Sequence, residues 1–427
     1  MHAACAALAA YVVWLLAFPM DGFLAAPAGI ASALLWFLGP QALALLSAGL
    51  WLPGSRVAAL SMPAAALAAA ATAAFPWMPS LGPILLAMAA IASAPVALRV
   101  GMLLRHSPRP SHSAGWGLVS GNILLAALLV MPILEGFKAF VLAAGVALPA
   151  FLALPPRADG PREAPESRHR LRHYLPFLLT FHVVSGLFYD RLLPAYGAVS
   201  GLPGVELGFY AMAVLCAVYP LQGDVDGALA LGIPLELLAL LLFREGSGPL
   251  LHASMFTMQA SAGFMDAFVL FVLLAHPRPV RAFGLGLAAV CSGIAGGKAL
   301  SLLAGGSAAS FTVLGSAALN VAVLSLYFAH RPAARRPRPE APGAPPALGP
   351  PAPRPFCVSP GLRARLSAME EAVLQRVLAG VTFRQVAAEL HISESSVKTY
   401  MRRVYEKAGV GGKAQLLDKL ARPPKGE

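Results

Sequence analysis

Between His391 and Val410 the sequence reads HISESSVKTYMRRVYEKAGV, a run dense in hydroxyls and cations. Lys and Arg donate to guanine O6 and N7 and to phosphate oxygens, and Ser or Thr hydroxyls can serve either kind of acceptor. Read as a helix, the run places Ser396, Lys398 and Arg402 on its outer side, where they could meet a polyanion. A second set lies in apolar surroundings: His182, Glu206, Glu236, Asp266 and Lys298. Ionisable groups at membrane depth are costly and are functional candidates by default. Glu206 also suits an interface, and an Asp266–Lys298 ion pair would explain those two as well as a ligand would. Asn122, Gln259 and Asn320 read as hydrogen bonds between helices.

The elements that must hold these two sets differ in kind. The 427 residues are 58% hydrophobic and 12% charged, with a mean hydropathy of +0.69. Soluble domains carry about 25% charged residues, so most of this chain is of membrane class. A spanning helix takes about 20 apolar residues. Twelve such segments follow: 3–20, 28–50, 56–75, 82–104, 115–134, 137–154, 172–192, 204–220, 227–243, 250–275, 281–304 and 307–329. No basic stretch precedes the first, which therefore reads as a membrane helix rather than a cleaved signal.

Eleven Lys and Arg residues, from Arg56 and Arg99 to Arg278 and Arg281, fall after even-numbered segments. Only Lys138, Arg191 and Arg244 fall after odd-numbered ones. The positive-inside rule then places both termini in the cytoplasm. The longest charged loop, Pro155 to Arg172, divides the segments six and six. This layout resembles that of major facilitator transporters, although the loop LPGSRVAAL after the second segment lacks their usual Gly/Asp/Arg pattern.

From Arg331 to Pro360 proline dominates. Such a stretch cannot pack a core and predicts a semi-rigid polyproline II spacer, its Arg cluster lying on anionic lipid. Residues 361–427 then form a small soluble domain. Ser367 with Glu370, and Thr382 with Gln385, spell capping boxes. Gly380 stops the first helix, Ser393 caps the third, and Gly409 ends it. A last helix follows Gly411-Gly412. VAAEL, the HIS turn and the helix after it make a helix-turn-helix, whose second helix enters the major groove. The expected fold class is all-α: a polytopic bundle plus a four-helix soluble domain.

The run from Leu366 to Leu417 resembles the LuxR-type DNA-binding domain from end to end. Matching residues include Leu366, Glu370, Val373-Leu374, Val386-Ala387, Ile392-Ser393, Val397-Lys398, Lys407 and Gly409-Val410. Met369, Ala372, Tyr400 and Gly411-Gly412 depart from the family, the first two at one of its ion pairs. The resemblance implies that Lys398, Thr399 and Arg402 face the groove, with Ser395, Ser396, Arg403 and Arg384 near phosphates. Val386, Ala387, Leu390, Ile392, Val397 and Val404 would be core. Pairing through Gln415–Leu420 into a homodimer, and contact with RNA polymerase, are the protein partners it admits. From Pro360 onward Lys and Arg outnumber Asp and Glu by twelve to seven, which suits double-stranded DNA.

The expected function is a membrane-anchored one-component transcription regulator, with a small-molecule signal sensed by the bundle. The alternative is a major-facilitator transporter with an appended regulatory head. The sequence offers no phosphate loop, nucleophile–base set or metal cluster, so neither an enzyme, a cofactor nor a metal is expected. Cys5, Cys216, Cys291 and Cys357 lie far apart and read as reduced thiols.

Overall fold

The computed structural model describes residues 2–154, 171–330, 363–410, 416 and 420, apart from 21, 26–28, 31, 133, 202, 203, 222, 245–247, 304–307, 364, 380 and 391. It divides into two compact units, Met1–Pro332 and Ala333–Glu427.

The first unit contains twelve α-helices among its described residues: α1 His2–Ala17, α2 Ala33–Trp51, α3 Gly54–Ala74, α4 Gly82–His106, α5 Pro110–Val130, α6 Glu135–Phe151, α7 Leu171–Gly197, α8 Leu207–Val218, α9 Val225–Arg244, α10 Gly248–Ala275, α11 Pro279–Leu303 and α12 Ala308–His330. Each overlaps one expected segment. Eight are long and apolar enough to cross a membrane; α1, α6 and α8 are shorter apolar helices. Prolines interrupt α2, α3, α4, α6, α7 and α9. Neighbouring helices keep such breaks tolerable in a bundle.

Large aromatics fill the interior. Trp14 of α1 is fully buried, donates to Thr72 Oγ1 of α3 at 2.9 Å and meets Phe37 of α2 edge-on. Outward-facing positions carry apolar side chains such as Trp51, Leu43 and Phe140, as a lipid-facing surface requires. Where α2 crosses α11, small residues set the approach: a Cβ on Gly49 would come within 2.9 Å of the Gly284 Cα. Close backbone contact of this kind supplies packing energy where lipid offers no hydrophobic drive.

The second unit has three described helices, α13 Ala368–Leu378, α14 Phe383–Glu389 and α15 Glu394–Ala408. Leu416 and Leu420 are helical as well and close its core. That core joins Val373, Leu374 and Val377 of α13 to Val386 and Ala387 of α14 and Val397, Met401, Val404 and Ala408 of α15. Leu390 and Ile392 pack against it, half-buried. The Pro-rich stretch 331–360, Cys357, the loop 155–170 and the glycines at 380, 411 and 412 lie outside the described residues.

Candidate nucleic-acid interface and central cavity

Local hydrogen bonds fix the ends of each helix in the second unit. Ser367 Oγ accepts from Glu370 N while a Glu370 carboxylate oxygen accepts from Ser367 N, and Thr382 and Gln385 repeat the exchange. Each box satisfies two donors that a helix start leaves bare. Ser393 Oγ accepts from Ser396 N at 3.1 Å and caps α15. At the other end Gly409 takes φ 65°, the left-handed conformation glycine reaches without strain. Its N–H donates to Glu406 O, and Val410 N–H donates back to Tyr405 O.

These caps set the rotation of α15. Val397, Met401, Val404 and Ala408 recur at helical spacing and are buried. The opposite face carries Ser395, Lys398, Arg402 and Arg403, all exposed, with Ser396, Thr399 and Tyr400 partly so. Thr399 Oγ1 donates to Ser395 O at 3.0 Å, leaving its lone pairs outward. Arg384 sits on α14, and its side chain lies outside the described residues.

The two cations that face outward most are paired along the helix. Lys398 Nζ lies 3.0 Å from Glu394 and Arg402 Nε 4.0 Å from Glu406, each four residues apart. All four side chains are about half or more exposed, so each pair contributes only a few tenths of a kcal/mol. A phosphate or a guanine edge displaces such partners at little cost.

One ion pair differs. Lys407 Nζ meets Glu370 Oε2 at 2.6 Å, joining α15 to the capping box of α13, and the Glu370 side chain is only 3% exposed. The hydrogen bond from Lys407, and then that from the Ser367 backbone, hold the Glu370 carboxyl below its usual range. A depressed carboxylate stabilises the fold above its unfolded pKa of about 4.3 and loses that contribution as pH falls through the folded value. Acid should therefore loosen the domain below about pH 4. Lys407→Met leaves the carboxylate without its cation. Because the ammonium is itself 35% exposed, the expected loss is about 1–3 kcal/mol, read as a lower melting temperature at pH 7 that narrows toward the wild type in acid.

In the first unit, residues of eight helices line a cavity of about 430 Å³. His182 of α7, Glu236 of α9 and Asp266 of α10 all line it. Lys298 does not belong to its lining; it lies on α11 where Gly186 of α7 packs closely. Asp266 is not paired with Lys298: its Oδ2 accepts from Tyr210 OH at 2.7 Å. Glu206, at the start of α8, is 8% exposed, lines the cavity and accepts from Tyr196 OH and Gly204 N–H. Asn122 and Gln259 line the cavity too, whereas Asn320 is exposed.

Two features escaped the sequence. Tyr11 and Ser93 take hydrogen bonds from Gln41 Nε2 at 3.1 and 3.3 Å, a buried polar cluster tying α1, α2 and α4 together. Arg99, counted above among loop cations, lies inside α4, 9% exposed, and donates to the carbonyls of Pro149 and Leu152 at the end of α6. The described cysteines, Cys5, Cys216 and Cys291, are free thiols.

Comparison with known proteins sorts the units. Residues 364–420 match the family of bacterial regulatory proteins, luxR family. Over 49 residues the chain is 47% identical to the probable transcriptional regulatory protein NarL of Mycobacterium tuberculosis, in both strain CDC 1551 / Oshkosh and strain ATCC 25618 / H37Rv. That match takes in 12% of this chain and spans only 23% of the length of those relatives. Solved structures resemble the other unit. A bacterial homologue of the iron transporter ferroportin, outward-facing, gives a TM-score of 0.53 at 16% identity, covering 77% of this chain and 96% of its own. The human organic anion transporter MFSD10 gives 0.53 at 15%, covering 77% and 97%. The major facilitator transporter FucP, outward, gives 0.52 at 13%, covering 77% and 99%. At such identities the likeness is one of fold. Residues 364–420 are thus a LuxR-type DNA-binding domain, carried in one chain with a polytopic membrane unit of the major facilitator fold.

Proposed function

We propose that the chain is a membrane-anchored one-component transcription regulator, which binds specific DNA through α15 under the control of a signal taken by the membrane unit. The observation that carries this reading is the division of α15: an apolar stripe fully sequestered in the domain core, and opposite it Ser395, Lys398, Thr399 and Arg402 turned to solvent. That face has the length and chemistry to read a major groove. Ser396, Arg403 and Arg384 serve phosphates beside it. In this reading the protein lies in the bacterial inner membrane with both termini cytoplasmic. A reporter fused after residue 330 should then be active only on the cytoplasmic side.

A single domain of this size binds weakly, so two heads on paired half-sites, joined through the helix holding Leu416 and Leu420, supply specificity. RNA polymerase is the downstream partner of such a head. The transition between states is a change in pairing of the heads, since a Pro-rich spacer transmits proximity better than twist. Binding should be salt-dependent, with log affinity falling in proportion to log salt and a slope set by the phosphates contacted. Titration of the full chain in detergent against operator fragments from its own gene neighbourhood tests this. A salt-insensitive affinity equal for all sequences would turn the reading toward a protein-binding scaffold.

A second reading, a transporter with an appended regulatory head, draws on the cavity, which takes Tyr11 and Asn122 from the first six helices and Glu236 and Asp266 from the second six. Accumulation of a solute by proteoliposomes that hold the full chain would decide for it.

A further inference from the structure

We propose that the central cavity of the membrane unit binds a lipophilic organic cation, with Glu236 as its counter-ion and Asp266 beside it. The inference rests on the reading that this unit takes a signal, and it names the chemical class of that signal.

The starting point is an unsatisfied group. Glu236 is 2% exposed, lines the cavity, and its Oε1 has no hydrogen-bond partner. Leaving a carboxylate oxygen bare in a low-dielectric interior is costly, and native proteins retain such groups where something else completes them. The other two lining carboxylates already have neutral donors: Asp266 takes the Tyr210 hydroxyl, and Glu206 takes Tyr196 and the Gly204 backbone. Glu236 has the Ser261 hydroxyl beside it, which donates to Gly232 O, and Glu236 Oε1 is left without a donor.

Its surroundings decide what fits. Three carboxylates line the cavity, and among the described residues its lining includes no Lys or Arg. His182 adds no obligatory cation, for its Nδ1 lies 2.7 Å from Leu178 O and must carry the proton, which leaves Nε2 an acceptor in the neutral ring. Asn122 donates one amide N–H to Leu118 O and keeps its other N–H and its carbonyl oxygen. The described lining thus offers three carboxyl groups and no obligatory cation. Apart from Ser185 and Gln259, the rest of the described wall is mostly aliphatic and aromatic, including Phe181, Phe188 and Phe283. Such a wall does not suit a small metal ion: among the described residues no three His, Cys, Asp or Glu side chains gather closely enough to replace its water shell. It favours a cation whose charge is embedded in an apolar body, held by a desolvated carboxylate and by aromatic faces. The volume, about 430 Å³, lies within the roughly 300–1,000 Å³ typical of pockets for drug-sized ligands. An anion of the same shape would face three carboxylates and no compensating charge.

Tetraphenylphosphonium and tetraphenylborate share a shape and differ in the sign of charge, so together they isolate the electrostatic claim. Equilibrium binding is measured on the full chain in lipid nanodiscs, against empty nanodiscs. The phosphonium should bind saturably and the borate should neither bind nor compete. Glu236→Gln should weaken phosphonium binding at least tenfold and Asp266→Asn by a smaller factor. Equal binding of the two ions to the wild type, no saturable phosphonium binding, or undiminished affinity in a folded Glu236→Gln variant would each overturn the proposal. The wild-type comparison decides even if a variant does not fold. DNA binding is read on the same preparations: cation binding without any DNA binding would remove the regulatory reading alone, and DNA binding without cation binding would remove this inference alone.

Discussion

Arg402→Ala should cost about 1–3 kcal/mol per head in specific DNA binding, or roughly 5- to 150-fold, while the melting temperature of the domain stays within about a degree or two of the wild type. The split follows from the position. Arg402 is 73% exposed and one turn beyond Lys398, on the side of α15 away from the core. Among the described residues it is restrained by a 4.0 Å pairing with Glu406, too long and too wet to hold the fold together. A guanidinium there is free to offer its two parallel N–H groups to guanine O6 and N7. Lys398→Ala should fall in the same direction, and on a paired site the losses from two heads multiply. The check is a footprint over the natural operator at fixed salt, beside a competition with unrelated DNA. Loss on both would mean that Arg402 serves only phosphates; no loss on either would take α15 out of the groove.

That Arg402 faces outward was legible because three short-range signals agreed. The capping boxes at 367–370 and 382–385 and the Ser393 cap fixed where each helix starts, and Gly409 fixed where α15 stops. Once a helix start is set, 3.6-residue periodicity sets the rotation of every side chain after it. The membrane helices were legible for a cruder reason: length and apolarity alone nearly suffice when backbone groups have no water to turn to.

What was not legible depended on which helix lies beside which. Arg99 looks like a loop cation because it stands near a cluster of them, yet its guanidinium answers two carbonyls fifty residues on, at the end of α6. Nothing local to Arg99 encodes that meeting. Tyr11, Gln41 and Ser93 each pass for an isolated polar residue in an apolar helix, and only the packing of α1, α2 and α4 makes a cluster of them. The same holds at the cavity. Glu236 and Asp266 could be singled out by the cost of charge at depth, but Lys298, singled out on identical grounds, does not line the space they line. Hydropathy ranks residues by depth and says nothing of azimuth, and Tyr210, which takes the place of Lys298 beside Asp266, carries no charge to mark it.

Met401 tests the same helix from its other face. It is 1% exposed and packs among Val373, Leu374, Val397 and Val404. The sequence disguises it, since it stands between Tyr400 and Arg402 in a polar run. Met401→Ala should remove about 2–5 kcal/mol. A domain of about sixty residues has roughly 3–9 kcal/mol in all, so the substitution takes a large part of it. The expected outcome for residues 360–427 is a melting temperature lowered by tens of degrees and, at 37 °C, weakened helical circular dichroism. DNA binding should fall with it, equally for specific and unrelated sequences, because no groove contact has been altered. Met401→Leu conserves volume and should restore most of the stability and the binding together. Two adjacent residues would then separate fold from recognition: one variant that binds poorly although folded, and one that binds poorly because it is not. Should Met401→Ala melt like the wild type, the packing of α15 on α13 described above would be wrong, and with it the rotation that turns Lys398 and Arg402 toward DNA.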